Sequence, residues 1–173
     1  LFHHSKPKWD GYTKLHRTVY EALKRAYPDL TIFVSFSLQN LLNLGWTDRV
    51  EMLNASKDLM EYSDLVGVSF YPFATLLSSQ VETVFAWLRT EFEGFGKPYV
   101  ISESGETAEP IVIDGLGVTS PGSTSLQKIV LTSFLNFADS TDTEFVIWYI
   151  ARDYEAAFER IRGEVPDFFR VWQ

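Results

Sequence analysis

The chain contains no cysteine, which excludes disulfide bonds and thiolate metal sites. It has no uninterrupted apolar run of about 18 residues, the length that a membrane-spanning helix needs. Basic residues are outnumbered 15 to 23, and the net charge of -8 argues against nucleic acid and anionic membranes as partners. We therefore expect no nucleic-acid and no membrane partner. The compartment stays open, with a secreted or periplasmic location expected if the complete protein carries a signal peptide.

Several cofactor and hydrolase motifs are also missing. The sequence contains no GxGxxG, no GxxxxGK[ST] and no GxSxG, so nucleotide-binding and serine-hydrolase chemistry has no supporting motif. The three histidines, His3, His4 and His16, have no acidic partner at metal-ligand spacing. We expect neither a metal nor another cofactor.

What the sequence does contain is apolar and regularly spaced. Its hydrophobic fraction of 46% and aromatic fraction of 16% indicate a packed core. Short apolar runs predict four buried strands, at Thr31–Ser37, Leu65–Phe73, Tyr99–Glu103 and Glu144–Ile150. Helical patterns lie before, between and after them, at Trp9–Tyr27, Thr47–Tyr62, Ser79–Phe92, Ser123–Ala138 and Asp153–Arg162. Thr47, Asp153 and a capping box of Ser79 with Glu82 are the expected helix starts.

Strands that alternate with helices predict a parallel α/β sheet with right-handed crossovers. An open doubly wound sheet and a (β/α) barrel of TIM type both fit this order. A complete barrel has about 250 residues, so four strands make only half of one. We expect residues 1–173 to be a single segment, the second half of such a barrel. Its free sheet edges predict self-association.

Alternation along the strands favours the barrel. Val66, Val68 and Phe70 are predicted to face helices, while Ser35, Ser37 and Ser69 lie on the opposite face. In a sheet covered by helices on both faces, apolar residues would be expected at these positions. We expect the polar face to end in Tyr71, Glu103 and Trp148 at the mouth of the barrel.

The segment "KPYVISESGETAEP" carries the main candidate for catalysis. Glu103 ends a predicted buried strand, and active sites of (β/α) barrels lie at that end of the strands. Glycoside hydrolysis uses two carboxyl groups, one of which attacks the sugar or activates water. Glu103 can be that group, or it can accept backbone hydrogen bonds as a cap of the next turn.

Four other residues are candidates for substrate binding. Tyr71 can orient Glu103 through a hydrogen bond, and Trp148 can offer a flat surface for a sugar ring. Gln39, like its neighbour Asn40, can bind sugar hydroxyls, and so can Glu106. Each has a plainer interpretation: core packing for the two aromatic residues, loop structure for the amides, and a solvated loop acid for Glu106.

The sequences "GVSFYPF" and "KPYVISESG", followed by a strand with "IWY", resemble the second half of a clan A glycoside hydrolase. The nearest likeness is to the arabinogalactan endo-β-1,4-galactanase family and its uncharacterised relatives. The resemblance implies that Glu103 is the nucleophile of a retaining β-glycosidase, that Tyr71 is the aromatic residue after strand six and that Trp148 belongs to the sugar site.

This sequence also differs from the family pattern in two respects. The acid/base glutamate of that family follows strand four, which would lie before Leu1, so this chain alone is expected to be an inactive half-site. The segment "VSFSLQ" stands where galactanases tend to carry histidine, which leaves the substrate as a β-glycoside without a named sugar. Two alternatives remain: a non-catalytic carbohydrate-binding or pseudo-enzyme barrel, and a structural α/β domain in which Glu103 is a cap.

Overall fold

The computed structural model describes residues 6–42, 49–113 and 118–149. Five helices and six strands lie in these ranges. In chain order they are α1 (Lys6–Ala26), β1 (Ser35–Ser37), α2 (Leu38–Leu42), α3 (Arg49–Met60), β2 (Val66–Phe70), α4 (Val81–Phe92), β3 (Tyr99–Ser104), β4 (Ile111–Ile113), β5 (Val118–Ser120), α5 (Thr124–Ser140) and β6 (Thr143–Trp148). Short 3-10 turns at Pro72–Thr75 and Glu93–Phe95 follow β2 and α4.

The fold is mixed α/β with a four-stranded, all-parallel sheet of order β1-β2-β3-β6. The prediction that the four strands are parallel and adjacent in chain order is confirmed. The hairpin of β4 and β5, which pair antiparallel, was not predicted and lies between β3 and α5 in the chain. The loop after β3 is thus partly ordered by its own backbone hydrogen bonds.

One face of the sheet is buried under helices. Val66, Val68 and Phe70 of β2 are fully buried, as predicted, and belong to one core with Phe85 of α4 and Phe134 of α5. Aromatic rings form much of that core: the rings of Phe85 and Phe134 meet edge to face with centroids 4.8 Å apart. Such contacts add about 0.5–1.5 kcal/mol per pair to the gain from burial.

The opposite face of the sheet carries polar and exposed side chains. Ser35 of β1 and Ser102 of β3 share a hydrogen bond of 2.5 Å between their hydroxyl oxygens. The ring of Phe33 lies against Gly67, where a Cβ atom would come within 2.6 Å of it, and meets the half-exposed ring of Phe145 at a centroid distance of 6.2 Å. The predicted polar face therefore exists, and it also carries this aromatic pair. We call this side of the sheet, opposite the helices, the open face.

A β-bulge in β3 determines which way Glu103 points. Val68 pairs with Ile101, but the next residue of β2, Ser69, pairs with Glu103, so Ser102 is an extra residue. Strict alternation from Ile101 would turn Glu103 toward the helices. The extra residue instead places Glu103 beside Ser69 on the open face and turns Ser104 toward the helices, since a bulge re-aims the side chains that follow it.

Polar contacts attach α1 to the rest of the fold. The Asp64 carboxylate, just before β2, accepts hydrogen bonds of 2.8 Å from the Tyr20 hydroxyl and the Ile32 amide and pairs with Lys24 at 2.8 Å. Burial raises the pKa of Asp64, but these donors and the Lys24 charge outweigh burial and hold the pKa below its usual value. His16 binds the Tyr62 carbonyl oxygen at 2.8 Å.

Several predicted boundaries were wrong. The first strand is only Ser35–Ser37, and a short helix, α2, follows it at once. The capping box of Ser79 and Glu82 is absent, because α4 begins after Gln80 and has no side-chain cap. Ser123 does cap α5, accepting a bond from the Leu126 amide at 3.0 Å.

Two predicted features, the Thr47 cap and the helix Asp153–Arg162, lie outside the described residues. In the ranges that are described, no helix combines the length and the apolar character that crossing a bilayer would need.

Candidate functional site

Glu103 and Tyr71 meet at the carboxyl ends of neighbouring strands. The Tyr71 hydroxyl donates to the Glu103 carboxylate at 3.4 Å, the contact expected from the sequence. Burial and the negative charge of Glu103 raise the pKa of the Tyr71 phenol. Glu103 itself is exposed. The pair thus presents an accessible carboxylate oriented by a protonated hydroxyl group.

Gln39 lies next to this pair but binds the backbone of Tyr71. Its Nε2 donates to the Tyr71 carbonyl oxygen at 3.2 Å, and its Oε1 accepts from the Ser37 hydroxyl at 3.2 Å. Gln39 is in the first turn of α2 and not in a loop. The structure therefore brings Gln39 to the site predicted for it, with its amide group held by protein atoms on both sides.

Trp148 does not share the face of Glu103, and its predicted place at the mouth was wrong. It pairs with Ser104, and its ring meets Phe134 of α5 edge to face at 5.9 Å. Val146 and Trp148 do share a face, as predicted, but that face packs against the core. The large apolar ring is better accommodated among the phenylalanines there than on the polar face.

Tyr149 lies at the position expected for Trp148. Its amide donates to the Ser104 carbonyl oxygen at 2.6 Å, which continues the pairing of β3 and β6 by one residue. Its side chain is 57% exposed, and its phenol is close enough to Tyr71 for its charge to raise the Tyr71 pKa. The alternation of Val146 and Trp148 toward the helices was the sequence signal that could have assigned the open face to Tyr149.

Gly105 allows the close approach of two chain segments. A Cβ atom there would lie 2.2 Å from the Tyr149 carbonyl oxygen and 3.4 Å from the Tyr71 ring. At Gly105 the loop after β3 crosses the end of β6, and the two segments lie too close together for a side chain.

Glu106 is buried and holds the loop together. It is 6% exposed, and its carboxylate accepts bonds from the Ser78 hydroxyl at 2.5 Å and the Thr107 amide at 2.9 Å. Its backbone carbonyl accepts a bond from Gln127 at 3.0 Å. The interpretation of Glu106 as a solvated loop acid was therefore wrong, and its predicted contact with a substrate hydroxyl is not supported by its burial.

Asn40 and the three histidines are the remaining candidates named from the sequence. A hollow of about 320 Å³ beside β1 is lined by Trp9, Tyr12 and Asn40 among other residues. Within the described ranges, no three His, Asp or Glu side chains come together as a metal site would require. His3 and His4 lie outside those ranges.

The chain matches no protein-family model, no curated protein and no solved structure. The chemistry of the site is therefore inferred from its own geometry.

Proposed function

We propose that the chain is one side of a (β/α)8 barrel and carries the nucleophile, Glu103, of a retaining β-glycoside hydrolase. The observation that carries this proposal is the exposed Glu103 carboxylate at the end of β3, in contact with the Tyr71 hydroxyl. Carboxyl ends of parallel strands are where such barrels build their active sites. A carboxylate placed there can attack an anomeric carbon and form a glycosyl ester.

The sheet supports the barrel. Its four strands are parallel and follow one another in chain order, as in one side of a closed barrel. The core packs on one face, while Ser35, Ser102 and Glu103 occupy the other. An open doubly wound sheet buries both faces, and its strands are apolar on both.

A retaining mechanism needs a second carboxyl group about 5 Å from the first to protonate the leaving oxygen. Glu106, the next acid along the loop, is buried against Ser78 and does not serve in that role. As the resemblance to glycoside hydrolases implies, we assign the acid/base to the glutamate after strand four of the complete barrel. Tyr149 replaces Trp148 as the aromatic residue that contacts the sugar.

Turnover of aryl β-glycosides by the complete protein tests the proposal. Glu103→Gln should lower kcat by several orders of magnitude, because it keeps the shape of the side chain but removes the attacking charge. Azide should restore activity to Glu103→Ala and give a product of inverted configuration. Glu109→Gln, a change at another exposed glutamate of the same loop, is the matched control. Near-normal activity of Glu103→Gln excludes the nucleophile.

The burial of Glu106 also favours a second candidate, a carbohydrate-binding barrel without catalysis, because it removes the nearest acid from the site. Such a protein would bind oligosaccharides through Tyr71 and Tyr149 without turnover. Assays of the unchanged complete protein separate the two functions: oligosaccharide binding in titration calorimetry without release of product marks the binding protein, and turnover marks the hydrolase.

A further inference from the structure

We propose that Gln39 is a positioning residue, which holds Tyr71 in place and through it orients the carboxylate of Glu103. This role rests on the proposed function of Glu103. It differs from the direct binding of sugar hydroxyls that the sequence predicts for Gln39. Three structural observations lead to it.

The first observation is the rigid placement of Gln39. It lies in α2 between Leu38, which is fully buried, and Leu41, which is 2% exposed. Both leucines belong to the core that also contains the strand residues of β2. The backbone of Gln39 is thus anchored to the sheet on both sides.

The second observation is the orientation of the Gln39 amide. The Tyr71 carbonyl oxygen can only accept a hydrogen bond, so it requires the Nε2 atom of Gln39, while the Ser37 hydroxyl donates to Oε1. A flipped amide would place two carbonyl oxygens against each other. The amide group is therefore fixed by its neighbours and acts as a link from the end of β1 to the end of β2.

The third observation is how Tyr71 itself is held. It follows the last residue of β2 and precedes Pro72, with φ of -115° and ψ of 89°. Its carbonyl oxygen accepts bonds from Gln39 and from the Ala74 amide at 3.1 Å. The Gln39 bond joins this turn to α2, which directly follows β1, and the Ser120 hydroxyl of β5 binds the same turn at the Phe73 carbonyl oxygen at 3.0 Å.

The Tyr71–Glu103 bond is sensitive to small displacements. At 3.4 Å it is longer than the 2.5–3.0 Å usual for hydroxyl donors. A shift of the Tyr71 turn by a few tenths of an ångström is enough to break it. Misplacement of a reacting group by about 1 Å can lower a rate a hundredfold, so a link that fixes Tyr71 has a measurable effect on Glu103.

The test compares Gln39→Leu with Gln127→Leu. Both changes remove an amide that donates to a backbone carbonyl, but Gln127 binds Glu106 and not Tyr71. The Tyr71 phenol is titrated by NMR with labelled tyrosine and assigned with Tyr71→Phe. Gln39→Met serves as a second removal of the amide if Gln39→Leu does not fold.

We expect the Tyr71 pKa to fall in Gln39→Leu, because its phenol moves away from the Glu103 charge, and to stay unchanged in Gln127→Leu. In the complete protein, kcat on an aryl β-glycoside should fall roughly tenfold or more at nearly constant KM. An unchanged Tyr71 pKa in Gln39→Leu overturns the proposal, and so does a higher KM at constant kcat, which marks a substrate ligand. If the unchanged protein shows no turnover, the proposed function fails, while the titration still decides the role of Gln39.

Discussion

Gly105→Ala should destabilise the protein strongly, because the new methyl group would enter the crossing of the β3 loop with the end of β6. The added Cβ would lie 2.2 Å from the Tyr149 carbonyl oxygen, a backbone atom that cannot rotate away. Overpacking of this kind typically costs about 1–3 kcal/mol. If the Tyr149–Ser104 hydrogen bond is lost as well, about 0.5–1.5 kcal/mol is added. We expect a total loss of about 2–4 kcal/mol in the free energy of unfolding.

Urea unfolding followed by circular dichroism measures this loss. Gly11→Ala is the matched control, because nothing lies within 4 Å of a Cβ atom at Gly11, in the second turn of α1. Alanine should stabilise that helix by about 0.5–1 kcal/mol. If Gly105→Ala unfolds at the same urea concentration as the unchanged protein, the close approach of Tyr149 to the β3 loop is wrong.

Three further predictions concern the fold and the site. The pKa of Asp64 is lower in the folded protein, so the Asp64 carboxylate stabilises the fold fully above about pH 4, its unfolded value. This stabilisation is lost as the pH falls through the folded pKa, so the difference in urea midpoint between the unchanged protein and Asp64→Asn should shrink in acid. A difference that is constant with pH would contradict this. Trp148→Ala should lower the free energy of unfolding by about 2–4 kcal/mol, because the Trp148 ring packs on Phe134. Tyr149→Ala should change it by less than about 1 kcal/mol, since Tyr149 is exposed, and should weaken oligosaccharide binding in calorimetry. The reverse pattern would show that Trp148, and not Tyr149, contacts the sugar. The half-exposed Phe145 and Ile147 on the open face predict that the chain associates as its concentration rises; a monomer at all concentrations in light scattering, with a cooperative melt, would refute this.

The sequence predicted the parallel sheet because its signals are local. Apolar runs separated by helical patterns place the strands and their order, and the serines of β1 and β2 identify the face that is not buried. Tyr71 and Glu103 follow directly from this, since each ends a strand and neighbouring strand ends meet.

The sequence did not predict the features that depend on register. Glu103 was expected on the open face, but it reaches that face only through the extra residue at Ser102, and no local pattern shows where a bulge lies. Trp148 was expected at the sugar site because it lies at the end of the last strand, but its face is set by its pairing with Ser104. The burial of Glu106 depends on Ser78, which is 28 residues away in the chain. These features depend on tertiary contacts, which the spacing of apolar residues along the chain does not reveal.

Covalent labelling of Glu103 is the most direct test of its role as nucleophile. A 2,4-dinitrophenyl 2-deoxy-2-fluoro-β-glycoside has a leaving group that needs no protonation, so it should react even without the acid/base residue. We expect incubation of the chain with galacto- and gluco-configured reagents to add one sugar mass, located on Glu103 by peptide mass spectrometry. Glu109→Gln should be labelled at the same rate, and Glu103→Gln should remain unlabelled. Failure of the folded chain to acquire the label, or labelling that persists in Glu103→Gln, would contradict the account.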